Sequence, residues 1–162
     1  MKEEGSIEIP EAVARTALWL SLGSWLGSWG FFAFVVSRVA FRVLPGDVAG
    51  DLAGMLLGTL YWSGAAMALV AAAAAAALGR RGWLVWLPIG LAVLCVGSEL
   101  FLSPAIAAVR PSTLGAAATE ASSHRFGLLH ATSLGLFLSI HAVSIVLIVA
   151  HARLDARSRA PR

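Results

Sequence analysis

The feature that most constrains this chain is a succession of four long apolar stretches almost free of charge. From Thr16 to Ser37 no residue is charged, and the same holds from Leu52 to Gly79. Gly82 to Val109 is broken only by Glu99, and Phe126 to Ala150 contains no Asp, Glu, Lys or Arg. Crossing a hydrocarbon core of ~30 Å takes roughly 20 helical residues at about 1.5 Å each, so every stretch is long enough. Lipid offers the backbone no hydrogen-bond partner, which leaves helices and closed barrels, and the strict alternation of a barrel strand is missing. The expected fold is all-α: an integral membrane four-helix bundle. Its spans fall at approximately 12–40, 50–78, 83–109 and 125–151 within one transmembrane domain, 1–162.

Charge distribution speaks against a soluble helical core. Only 13% of residues are charged, about half the ~25% of soluble domains, and almost all of them lie outside the four stretches. The net charge of +3 and the pI near 10 do not point to nucleic acid, because the arginines sit at helix ends rather than along one face. They read as topology signals and headgroup contacts, making the lipid bilayer the expected partner. Cys95 is the single cysteine and provides neither a disulfide framework nor a thiolate metal site.

The segment before the first stretch carries Glu3, Glu4, Glu8 and Glu11. It is acidic where a secretory leader is basic, and the apolar stretch exceeds the roughly 7–15 residues of a leader's core, so a retained first helix is expected. Four spans put both termini on one side with the loop between spans two and three. That side holds eight basic residues, Lys2, Arg15, Arg80, Arg81, Arg153, Arg157, Arg159 and Arg162. The other holds four, Arg38, Arg42, Arg110 and Arg125, with acidic company in Asp47, Asp51, Glu99 and Glu120. Positive residues favour the cytoplasm, so a multi-pass protein of the cell membrane with both termini cytoplasmic is expected.

Gly79-Arg80-Arg81-Gly82 reads as a tight basic turn between antiparallel neighbours, and Leu44-Pro45-Gly46-Asp47 as a second turn. Thr113 to Ser123 is expected to form a short surface helix between spans three and four, and the basic tail after His151 to fray. Gly50, Gly54 and Gly58 recur every four residues on one face of span two, and span one carries Gly23 and Gly27. Such spacing lets helix backbones approach closely, so packing of span one on span two is expected, with homodimerisation as the alternative. Trp83 and Trp86 follow the basic turn as interfacial anchors, whereas Trp25, Trp29 and Trp62 fall deeper and read as packing.

Ionisable and polar groups inside spans are costly and face a bundle interior. On span four, His130, Ser133, Phe137, His141 and Ser144 share a stripe about 80° wide at 100° per residue. Cys95, Glu99 and Ser103 share a face of span three, and Pro104 predicts a kink by freeing the carbonyl of Leu100. Height along each span then groups residues from different helices. Arg38 lies ~33 Å from Thr16, Glu99 ~26 Å from Gly82, and His130 ~6 Å from Phe126. A polar cluster of Arg38, Arg42, Asp51, Glu99, Arg110 and His130, with Ser133 below it, is therefore expected near the outer face. His130 and Arg38 are the expected partners of Glu99.

Two blocks carry a family resemblance. One runs from Trp25-Leu26-Gly27 through Phe41-Arg42-Val43-Leu44-Pro45 to Ala49-Gly50. The other joins Ser103-Pro104 and Arg110 to Phe126-Gly127-Leu128-Leu129-His130-Ala131-Thr132-Ser133. The chain resembles the four-span membrane proteins grouped with transmembrane protein 205. The resemblance implies a helical integral membrane protein and brings no particular reaction with it.

Three functional classes follow. The foremost is a non-enzymatic scaffold or accessory membrane subunit, with a homo-oligomer or another membrane protein as its partner. The second is a small-solute or ion carrier using the outer polar cluster, for which Pro104 and Glu99 speak. The third is a haem or metal redox subunit. His130 and His141 stand ~16 Å apart on one helix and cannot share one iron within a single chain, which leaves only a dimeric bis-histidine site. No hydrolase nucleophile elbow, phosphate loop or paired metal-binding histidines on separate helices occur, so neither enzymatic activity nor a cofactor is expected.

Overall fold

The computed structural model describes residues 10–110 and 120–159. They form four helices: α1 (Glu11–Val43), α2 (Gly46–Ala77), α3 (Trp83–Ala107) and α4 (Glu120–Arg159). All four contain a stretch long and apolar enough to cross a membrane, and no strand occurs among the described residues. The architecture is an all-α membrane bundle. The proposed surface helix at Thr113–Ser123 lies largely outside the described residues; Glu120–Ser123 is the opening turn of α4.

The turns follow from local chemistry. Leu44 is extended (φ −106°, ψ 152°) because the ring of Pro45 excludes the helical region for the residue before it. This ends α1, and α2 restarts at once from Gly46. At the other turn, Gly79 and Gly82 adopt positive φ, 69° and 65°, conformations that an L side chain strains. The amides of Gly79 and Arg80 donate to the carbonyls of Ala76 and Ala75 at 2.9 and 3.0 Å. This Schellman closure satisfies the last carbonyls of α2 and places α3 antiparallel beside it.

Helix α2 is central: half of its apolar window is buried, against 22% in α1 and 28% in both α3 and α4. The alanine run is a packing surface, since Ala71, Ala72, Ala74 and Ala75 are buried. An aromatic core joins three helices. Trp29 stacks on Phe137 (centroids 4.5 Å apart, planes at 7°) and meets Tyr61 edge-on at 5.7 Å. Trp25 adds a second edge contact to Trp29 at 6.1 Å, and each such pair contributes about 0.5–1.5 kcal/mol beyond area burial. Gly64 makes this approach possible: a Cβ there would lie 3.1 Å from the Trp29 ring and 3.3 Å from both indole nitrogens. Trp62 differs from Trp25 and Trp29 in being 52% exposed.

Two helices widen into π-helical turns, Phe32–Val36 in α1 and Ser98–Leu102 in α3. The second ends two residues before Pro104, whose ring would collide with the Leu100 carbonyl in a regular helix; a widened turn relieves that collision. Pro88, which the sequence reading passed over, is also buried within α3. The tail expected to fray is helical to Arg159, and α4 at ~60 Å is twice the ~30 Å hydrocarbon thickness. Its buried seam runs through Ser133, Phe137, Ile140, Ser144, Leu147, His151 and Asp155, at alternating steps of about 3.5 residues. His141 flanks this seam half-buried, and His130 at its beginning is exposed.

Candidate functional site

Polar side chains gather at both ends of the bundle. At the end where α1 finishes and α2 begins, Arg110 reaches back from beyond α3. Its guanidinium donates to the Asp51 carboxylate at 2.7 Å and to the Gly50 carbonyl at 2.9 Å. The side chain lies across Gly54, where a Cβ would come within 3.4 Å of the guanidinium carbon. Among the described residues its buried Nε has no hydrogen-bond partner. One turn deeper, the Glu99 carboxylate occupies the notch at Gly58, whose Cβ would stand 2.9 Å from a carboxylate oxygen. Glu99 accepts a hydrogen bond from Ser103 at 2.8 Å.

These contacts correct the glycine assignment. The side chains nearest Gly50, Gly54 and Gly58 are Arg110 and Glu99, while the expected packing of span one on span two is present further along, where Trp25 and Trp29 of α1 close on Gly64. Gly23 and Gly27 face open space, with nothing within 4 Å of a would-be Cβ. A four-residue repeat identifies a face that admits close approach, but the neighbour is chosen by tertiary packing.

The expected outer cluster is only partly assembled. Asp51 and Arg110 are joined, and Glu99 lies one glycine step further along the same α2 face. Arg38 and Arg42 are exposed, and Arg38 lies over the ring of Phe34, 5.9 Å from its centroid. His130 stacks on Phe126 with centroids 5.5 Å apart. Among the described residues neither Arg38 nor His130 pairs with Glu99; Arg38 turns to Phe34 and His130 to Phe126. Ser133 is buried deeper. The Tyr61 hydroxyl lies toward Ser133 and Ser98 without reaching hydrogen-bond geometry with either.

At the opposite end a cluster joins three segments. Asp155 of α4 accepts from Arg15 at 2.7 Å, Arg80 at 2.5 Å and the Trp19 indole at 3.1 Å. Arg80 also contacts Nδ1 of the fully buried His151, and Arg15 bridges Glu11 one turn before it. Burial pushes the Arg80 guanidinium below its ordinary value, while Asp155 opposes the shift and Arg15 adds to it. The basic composition of the tail hides this lock in the sequence. The signal available was the continuation of the α4 stripe through His151 and Asp155.

Apolar helices tied together by ion pairs at both ends define a multi-pass membrane protein. Within that class the chain belongs to the family described as a domain of unknown function (DUF4149), which matches residues 20–113. The match takes in the Trp25–Gly50 block together with Ser103, Pro104 and Arg110, and ends before α4. No curated protein and no solved structure matches the chain.

Proposed function

We propose that this chain is a non-enzymatic scaffold or accessory subunit of a membrane assembly, resident in the cell membrane with both termini in the cytoplasm. The observation that supports this is the use of its charged groups. Arg110 with Asp51 ties α3 to α2, and Asp155 with Arg15 and Arg80 ties α4 to α1 and to the α2–α3 turn. Groups held this way stiffen a bundle, and the outward faces are apolar, with Leu20, Phe31 and Phe34 of α1 each more than 60% exposed. The open Gly23 and Gly27 lie on that same face and leave room for a helix of a second copy or another membrane protein. The resemblance to transmembrane protein 205, carried by the Trp25–Gly50 block and by Ser103, Pro104 and Arg110 with Phe126–Ser133, accords with this reading.

A carrier is the second reading, favoured by one observation: Glu99 lies in a widened turn with a single serine donor and no cation among the described residues. Proteoliposomes distinguish the two. A scaffold leaves proton and potassium leak, read by a pH-sensitive dye, equal to that of protein-free vesicles. Flux above that baseline that disappears in Glu99→Gln would replace the scaffold reading by the carrier.

A further inference from the structure

An open groove of about 490 Å³ runs between the start of α3 and the end of α4, lined by Trp83, Leu84, Val146 and Val149 with Arg153 and Arg157. Both arginines are exposed, and among the described residues neither forms an ion pair. The neighbouring acid, Asp155, is turned inward to Arg15 and Arg80. From Arg157 to Val146 the groove extends ~16 Å along the helix axis, close to the ~15 Å of one leaflet's hydrocarbon. Trp83, 52% exposed at the mouth, is the amphipathic residue type found at headgroup level. Two unpaired cations at headgroup height over an apolar trough of acyl-chain length are complementary to one kind of molecule.

We propose that this groove binds an anionic phospholipid, its phosphate held by Arg153 and Arg157 and one acyl chain laid against Val146, Val149 and Leu84. The site is independent of the scaffold reading, since a carrier with the same groove would bind the same lipid.

The test uses the full chain in detergent, with lipid binding counted by native mass spectrometry. Dioleoyl phosphatidylglycerol is expected to bind at least tenfold tighter than dioleoyl phosphatidylcholine. Arg153→Gln with Arg157→Gln is expected to weaken phosphatidylglycerol binding roughly thirty-fold, about 2 kcal/mol at ~1 kcal/mol per basic residue, while leaving phosphatidylcholine unchanged. Val149→Trp fills the trough with both arginines intact and is expected to weaken both lipids. Glycerol 3-phosphate, the free headgroup, is expected not to compete at the same concentration. Equal affinity for the two lipids, full phosphatidylglycerol binding by the double variant or by Val149→Trp, or competition by glycerol 3-phosphate would each overturn the proposal. Should the double variant unfold, Val149→Trp and the wild-type lipid preference decide the matter.

Discussion

Asp155→Asn tests the lock that closes one end of the bundle. The carboxylate meets Arg80 at 2.5 Å, with side chains 9% and 13% exposed, and meets Arg15 at 2.7 Å. Asparagine keeps the size and can still accept from the Trp19 indole, so the variant removes the charge and little else. Breaking one member of a buried pair costs ~3–5 kcal/mol, because the remaining charge stays desolvated. The residual exposure of Arg80 and Asp155 places this variant at the lower end, about 3 kcal/mol. At roughly 2–4 °C per kcal/mol for a chain of this size, the Tm in detergent should fall by about 6–12 °C. Arg80→Met should cost less, since Arg15 still faces Asp155. The double variant removes both desolvated charges and should be more stable than the sum of the single losses by about 2 kcal/mol. Thermal unfolding of the four proteins, followed by tryptophan fluorescence, measures this cycle. Losses that add to within ~0.5 kcal/mol would show that Arg80 and Asp155 are not energetically coupled, and the reasoning would fail.

Gly58→Leu should expel Glu99 from its notch and lower the Tm in detergent by several degrees, whereas Gly27→Ala, which meets open space, should be neutral or raise stability by up to ~1 kcal/mol through helix propensity. The reverse order, measured by thermal unfolding, would mean that α1 rather than α3 packs on the glycine face. Arg110→Met should destabilise more than Arg42→Met, because Arg110 bonds Asp51 and Gly50 while Arg42 is exposed; equal Tm values would remove the Arg110–Asp51 pair from the account. A reporter active only in the periplasm, fused after Arg162, should stay silent, and a bright signal would invert the proposed topology.

The four helices were legible in the sequence because lipid leaves the backbone so few options, and chain length and charge then set their number. Their lateral arrangement was less legible. Periodicity assigned Gly50, Gly54 and Gly58 to one face, and the structure keeps them on one face, but it lays Arg110 and Glu99 across them. Height along the membrane normal follows from counting residues; direction around each helix axis depends on packing. Arg38, grouped with Glu99 by residue counting alone, points toward Phe34. Asp155 shows the converse error. A composition-based reading of the tail hid a periodic signal, for the steps from Phe137 through Ile140, Ser144, Leu147 and His151 lead straight to that carboxylate.

The two locks explain how a bundle with little hydrophobic drive between its helices can hold one arrangement. In lipid, apolar faces gain little by meeting each other, so close approach and polar ties must select the partners. Here Gly64 admits Trp25 and Trp29 at mid-bundle, Arg110 bridges α3 to α2 at one end, and Asp155 gathers α1, α4 and the α2–α3 turn at the other. Every helix is thereby held to at least one other by a charge-assisted contact, which accounts for most of the partly buried ionisable groups. Glu99 stands apart from this scheme. It is the only carboxylate within the four apolar stretches, it is lodged in a π-helical turn, and its one hydrogen-bond donor among the described residues is Ser103 of its own helix. A tie between helices does not require that placement, so Glu99 is the residue at which the scaffold and carrier readings diverge.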